Sequence, residues 1–266
     1  MCHRAVVAGL IVGAAGAGAR AQEQVVASLP WLFGQTAGPN GTNYETTSDR
    51  DLWVVEDFGT AADTNLTRFE SYGTIFPTPL TVIDVTVRIY DGLPTTGNVV
   101  LESVPGTGRV IVNGINYRLA ADFGGQFLRA GSYYVVWSAA THGTQIAIFW
   151  AQGGPHAVGT GGPDNAWQWN PGLGWGWATG AIRPVPADLN GNGQTGVNFY
   201  LFGTPGCYPN CDGSTTAPVL TVNDFTCFLN RFAAGSAYAN CDGSTTAPVL
   251  NVNDFVCFIN RFGAGC

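Results

Sequence analysis

Toward the C-terminal end of the chain, oxygen-bearing side chains fall at alternate positions, Asn240, Asp242 and Ser244, and Asn251 and Asp254 follow at the mouth of an apolar run. That spacing suits a hard cation: alternate residues turn their oxygens to one side, and a carboxylate in the first turn of a following helix closes the coordination sphere. Asn, Asp, Gly and Ser also dominate ordinary polar turns, so a metal-free turn is the competing explanation. The pattern is written twice. NCDGSTTAPVLTVNDFTCFLNRFAAG (210–235) and NCDGSTTAPVLNVNDFVCFINRFGAG (240–265) differ only at Thr221/Asn251, Thr226/Val256, Leu229/Ile259 and Ala233/Gly263. Two such units are too few for a solenoid and predict a small terminal module with two equivalent sites.

No comparable constellation occurs elsewhere. After residue 21 the histidines are His142, in Thr-His-Gly-Thr, and His156, after Gly-Gly-Pro; both read as surface turn residues with no nucleophile motif nearby. The chain has no G-x-S-x-G elbow, no H-E-x-x-H helix and no phosphate-cradling glycine loop set between a strand and a helix. Glu56 and Asp57 are neighbours on a predicted strand, point to opposite faces and cannot form the carboxylate pair of a glycosidase. The chain is therefore expected not to be an enzyme. One aromatic patch stands out, Trp150 and then Trp167, Trp169, Trp175 and Trp177 within AWQWNPGLGWGWATG. Indole faces stack on the apolar faces of sugars. Alternatively, the W-x-W pairs at 167/169 and 175/177 are the two arms of a hairpin whose tryptophans cover one open end of the fold. The run 188–193 (DLNGNG) begins like a calcium loop, but Phe199 at its closing position makes it a polar turn.

The elements that must position these groups are of two kinds. Each repeat loop runs into a short helix, in which Val222, Phe225, Phe228, Leu229 and Phe232 form one apolar stripe and Gly235 follows as a C-cap glycine. A module of about 60 residues has a marginal core, so metal and disulfides are expected to carry much of its stability. Between Trp31 and Thr204 the apolar period is two, in runs at 51–58, 80–90, 109–119, 131–139, 145–151 and 197–203. Gly, Pro, Asn and Asp separate the runs, and Asp91-Gly92 and Asn113-Gly114 are hairpin-type dipeptides. The expected fold is mainly β: an antiparallel, jelly-roll-like β-sandwich over 22–204, followed by a small all-α module over 205–266.

The first 21 residues read as a secretory signal, with MCHR as a basic n-region, AVVAGLIVGAAGAGA as the apolar stretch and Ala19-Arg20-Ala21 as the cleavage site. The stretch is shorter than the roughly 20 apolar residues of a membrane helix, and no later one is long enough. Export is the expectation, with no transmembrane segment. Without residues 1–21, nine of the 11 basic residues, all arginine, remain against 18 acidic ones, and six of the seven cysteines remain, between Cys207 and Cys266. An even cysteine count in an exported chain predicts disulfides. Closing Cys207 to Cys266 is worth about 4 kcal/mol by loop entropy. Cys211, Cys227, Cys241 and Cys257 suit pairing within each repeat or symmetrically between repeats. With no lysine and only scattered arginines, neither a nucleic-acid groove nor an anionic-membrane patch is expected.

Two resemblances add to these readings. EDF (56–58), VIDVTVRIYDG (82–92) and LRAGSYYVVW (128–137) resemble β-sandwich modules of exported bacterial proteins, through strand and turn patterns that imply a fold and no activity. Each C-terminal unit resembles a dockerin repeat, the F-hand form of the EF-hand that keeps the calcium loop and its following helix. Cysteine after the first ligand and the terminal Gly265-Cys266 are similar to the GC-type dockerin domain. The resemblance implies two Ca2+ sites and attachment to a cohesin-like receptor or surface-anchoring protein. Matched onto this chain, the ligands of the first loop are Asn210, Asp212, Ser214, Thr221 and Asp224, with the Val219 carbonyl; those of the second are Asn240, Asp242, Ser244, Asn251 and Asp254, with the Val249 carbonyl. Thr-Thr-Ala-Pro at 215–218 and 245–248 stands where an EF-type loop has a single glycine, so three extra residues must bulge outward. The function expected is that of an exported, non-enzymatic β-sandwich protein held at a cell surface or in an extracellular complex by a calcium-dependent dockerin module. The alternative is a carbohydrate-binding or polysaccharide-degrading member of a dockerin-organised assembly, with a polysaccharide as partner.

Overall fold

The computed structural model describes residues 22–29, 42–44, 53–76, 82–113, 116–141, 147–150, 159, 166–170, 181–184, 196–214 and 216–266. The signal-like stretch 1–21, His142, His156, Trp175, Trp177 and the run 188–193 lie outside them, as does the side chain of Trp150. Among the described residues the chain is mostly strand. The strands are β1 (Gln24–Leu29), β2 (Thr42–Tyr44), β3 (Trp53–Thr60), β4 (Thr64–Phe76), β5 (Val82–Tyr90), β6 (Val99–Glu102), β7 (Arg109–Asn113), β8 (Asn116–Leu128), β9 (Gly131–Thr141), β10 (Ala147–Trp150), β11 (Trp167–Asn170), β12 (Ala181–Pro184) and β13 (Phe199–Pro205). They form two sheets. One has the order β1-β13-β4-β8-β7, with β10 against the far end of β4; the other has the order β12-β11-β3-β9-β5-β6, with β2 against β9. Among the described residues all pairings are antiparallel except that of β2 with β9.

Alternation along the strands explains the core between the sheets. Tyr117, Leu119, Ala121 and Phe123 of β8, Val135, Trp137 and Ala139 of β9, and Phe199 and Leu201 of β13 all turn inward. Trp137 sits among them, its ring centroid 5.2 Å from that of Phe69 and 6.4 Å from that of Phe199. On the other face of the second sheet, Trp53, Val55, Tyr90 and Val136 are buried side by side with the half-buried Tyr134, Trp167, Trp169 and Ile182 of the same and neighbouring strands. Glu56 shares the inner face with Val54 and Phe58, is fully buried and accepts a hydrogen bond from the Val197 amide. Asp57, its neighbour on the strand, projects from the opposite face of the sheet.

Several expectations are corrected. Residues 24–29 form a strand of the first sheet, upstream of where the period-two region was expected to begin. Asp91-Gly92 opens a longer connection, residues 91–98, closed by Asp91 and Asn98 through two backbone-linked hydrogen bonds of 3.1 and 2.6 Å. The partner of Trp167 and Trp169 in the β11 hairpin is 181–184, with Trp169 opposite Ile182, and not the 175/177 pair. The helical stripe is also narrower than predicted. Phe225, Phe228 and Phe232 turn inward, whereas Val222 and Leu229 are 73% and 41% exposed.

Two helices, α1 (Val222–Ala233) and α2 (Val252–Ala264), close the chain. They pack about a near-parallel stack of Phe228 on Phe258, centroids 4.1 Å apart, both fully buried. Around the stack the two repeats exchange equivalent contacts. Tyr208 and Tyr238 stack at 5.0 Å, and each hydroxyl donates to the backbone carbonyl of the other residue. Disulfides join Cys211 to Cys227 and Cys241 to Cys257, each at a separation of 16, so the pairing left open by the sequence is intra-repeat; Cys207 bonds Cys266. Gly235, at φ 69°, takes the left-handed position that ends α1, where the Ser236 amide reaches the Arg231 carbonyl at 3.0 Å. No helix among the described residues is long and apolar enough to cross a membrane.

This tyrosine pair makes alkaline stability testable. Burial is the main cause that pushes the Tyr208 phenol up to about 12, and burial also raises Tyr238. A raised phenol stabilises the fold fully below the unfolded value of about 10, and that contribution is lost as pH rises through the folded value. The helical segment is therefore expected to loosen between about pH 10 and 12. Phenolate absorbance should show late-titrating tyrosines whose ionisation coincides with loss of helical circular dichroism; ordinary titration with the helices intact would refute this.

Candidate metal centre in the repeat loops

Each repeat loop is organised from its own sequence. In the first, Gly213 turns the chain at φ 71°, and the Ser214 amide donates to Asp212 Oδ1 at 2.8 Å. Asn210 Nδ2 donates to the Ser214 carbonyl at 2.9 Å, and the Ser214 hydroxyl donates to the Val219 carbonyl at 2.8 Å. The second copy repeats all three contacts: Ser244 to Asp242 at 2.9 Å, Asn240 to Ser244 at 2.9 Å and Ser244 to Val249 at 3.0 Å. The serine-to-valine bond joins the two ends of the four-residue insertion. Residues 216–218 and 245–248 are exposed, so the insertion bulges outward as expected.

The carboxylate at the start of each helix is turned back into its loop. Asp224 is fully buried; Oδ1 accepts from the Asp212 amide at 3.1 Å and Oδ2 from the Thr221 amide at 2.7 Å. Asp254 does the same with Asp242 at 3.1 Å and Asn251 at 2.8 Å. These bonds are half of a capping box, completed by Thr221 and Asn251 as N-caps, whose side-chain oxygens accept from the Asn223 and Asn253 amides. Thr221 and Asn251, predicted as ligands, are thus engaged in capping. An ionised carboxylate offers about four lone-pair sites, so Asp224 and Asp254 retain acceptor capacity beyond these bonds.

Among these groups, the oxygens Asn210 Oδ1 and Asn240 Oδ1 are buried and meet no hydrogen-bond partner. An orphaned buried amide oxygen costs free energy, and its occurrence at the same place in both loops, the first predicted ligand position, is what a cation would relieve. The donors gathered are all oxygens: an amide, two carboxylates, a hydroxyl and a backbone carbonyl per loop. Such a set suits a hard ion such as calcium and offers no nitrogen or sulfur for a soft one. Each loop contributes two carboxylates, and among the described residues no group of three or more His, Cys, Asp or Glu is placed to hold a metal ion. The Asp212 carboxyl is held below its usual range mainly by the Ser214 amide; Asp242 is held low mainly by the Ser244 amide, with a smaller contribution from the Arg129 guanidinium.

Sequence reasoning missed two groups here. Tyr208 and Tyr238 belong to the repeat, since Tyr-x-Asn-Cys-Asp-Gly occurs at 208–213 and 238–243, and extending the comparison two residues upstream finds them. The sandwich residues that meet the segment carry no local signal. Phe127 packs on Tyr208 and Tyr238 at 5.5 and 6.0 Å, Arg261 pairs with Asp63 at 3.1 Å, and Arg129 donates to the Cys241 carbonyl at 3.2 Å. The Gly206 amide, just after β13, donates to the Asp63 carbonyl at 2.8 Å and begins this seat. Comparison with protein-family models, with curated proteins and with solved structures finds no match to this chain.

Proposed function

We propose that residues 205–266 are a calcium-binding, dockerin-type attachment module that tethers an exported, non-enzymatic β-sandwich to a cohesin-like receptor at a cell surface or in an extracellular complex. The observation that carries this reading is the pair of orphaned oxygens, Asn210 Oδ1 and Asn240 Oδ1, in two loops whose remaining donors are all oxygen. Calcium would be held in the first loop by Asn210, Asp212, Ser214, Asp224 and the Val219 carbonyl, and in the second by Asn240, Asp242, Ser244, Asp254 and the Val249 carbonyl. Its chemistry there is structural: it satisfies the buried oxygens and fixes each loop against its helix. The helices then present Val222 and Leu229, and Val252, Val256 and Ile259, as exposed apolar side chains for a receptor.

The runner-up is a carbohydrate-binding protein, and Trp167 and Trp169 give it its one observation. Both are half-buried on the outer face of the second sheet, and Trp169 lies 6.2 Å from Trp53 and 6.1 Å from Tyr90. Their packing on a fully formed apolar layer favours a structural role. Surface plasmon resonance with immobilised cohesin-type domains, run beside a polysaccharide pull-down, separates the two. Attachment requires receptor binding that disappears on chelation; calcium-independent retention on polysaccharide with no receptor binding would favour the runner-up.

A further inference from the structure

The two loops are near copies, yet among the described residues the sandwich touches only one of them through a charged side chain. Arg129, in the turn between β8 and β9, donates from Nη1 to the carbonyl of Cys241, the residue before Asp242, at 3.2 Å. Among the described residues no side chain donates to the equivalent carbonyl of Cys211. Arg129 is itself held in place: its carbonyl accepts from the Thr60 and Tyr133 hydroxyls, each at 3.1 Å, and its guanidinium lies 4.8 Å from the centre of the Tyr208 ring. The Cys241 backbone does not depend on this bond for its order. It is fixed by the disulfide to Cys257 and by its own amide, which donates to the Ala239 carbonyl at 2.8 Å. What Arg129 adds to the second loop is therefore chiefly a positive charge.

Given the calcium assignment above, on which this rests, we infer that Arg129 weakens the second loop's hold on a divalent cation, so that filling this loop and seating the helical segment on the sandwich oppose each other. The first loop lacks this opposition. A unit charge facing a divalent ion across the high-dielectric edge of a protein changes its dissociation constant by about threefold to fivefold at low ionic strength, and less as salt screens it. By reciprocity, cation binding at the second loop weakens the Arg129 contact by the same factor, whereas binding at the first leaves it unchanged. The protein thus carries a calcium-responsive joint in which only one of two similar sites reports to the sandwich.

Calcium titration calorimetry of the whole chain tests this, with the two sites assigned by Asp212→Asn and Asp242→Asn. Arg129→Gln is expected to tighten the second site about threefold to fivefold at low salt and to leave the first unchanged. Arg129→Lys keeps the charge and is expected to behave like the wild type, which also controls for any general loosening of the turn. A second site that is unchanged or weakened in Arg129→Gln overturns the inference, as does an Arg129→Lys variant that matches Arg129→Gln. Absence of saturable calcium binding in the wild type would remove the calcium assignment and this inference together, whereas two sites indifferent to Arg129 would remove the inference alone.

Discussion

Asp254→Ala is expected to cost the chain one of two calcium sites and, with calcium chelated, to lower the stability of the helical segment by about 2–4 kcal/mol. The two effects have one origin. The Asp254 carboxylate is fully buried and accepts from the Asp242 and Asn251 amides. Alanine takes the acceptor from both part-buried donors, at about 1–2 kcal/mol each, the Asn251 bond being also half of the capping box that starts α2. Asp224→Ala should do the same through the Asp212 and Thr221 amides, because the first loop repeats the geometry. Calorimetric titration reads the site count, and thermal unfolding in chelator reads the stability. A variant that keeps both sites would show that this carboxylate caps a helix and does not close a coordination sphere.

Phe258→Ala is expected to be more damaging to the segment as a whole, by about 3–5 kcal/mol. Phe258 is fully buried, stacks on Phe228 at 4.1 Å, and reaches Tyr208 and Phe225 at 6.2 and 6.3 Å. Removing it empties the centre of the contact between the repeats, which no side chain on the outer helix faces can refill. The second cluster is small, so this loss approaches all the stability a core of that size supplies. Hydrogen exchange should show α1 and α2 losing protection while β4, β8 and β9 keep theirs, since the sandwich has its own core. Retained protection in both helices would mean that disulfides, not the phenylalanine stack, hold the repeats together.

How much of this was legible in the sequence depended on distance along the chain. The loops were readable because their donors lie within one repeat and the repeat occurs twice. The strands were readable where alternation is clean, as in β9, with Val135, Trp137 and Ala139 inward. Strand β4 was missed for a physical reason. A bulge between Leu66 and Arg68 shifts its phase, so Leu66 and Phe69, three residues apart, both face the core, while Glu70 on the other face is buried among Arg68, Arg118 and the Tyr72 hydroxyl. The tryptophan hairpin was mispaired because W-x-W repeats look alike, whereas the register is set by Ile182 packing beside Trp169. Val222 and Leu229 joined the predicted stripe because helical spacing cannot tell a face covered by a partner helix from the flank beside it. The Phe127, Arg129 and Asp63 seat could not be read at all, since it exists only once the sandwich is folded.

The most direct measurement is a calcium titration of the intact wild-type chain after exhaustive chelation. Two calcium ions bound per chain, with a rise in the thermal stability of the helical segment as they bind, is the predicted result. No saturable binding, with Asn210→Ala and Asn240→Ala leaving the segment as stable as before or more so, would contradict it and reduce both loops to polar turns.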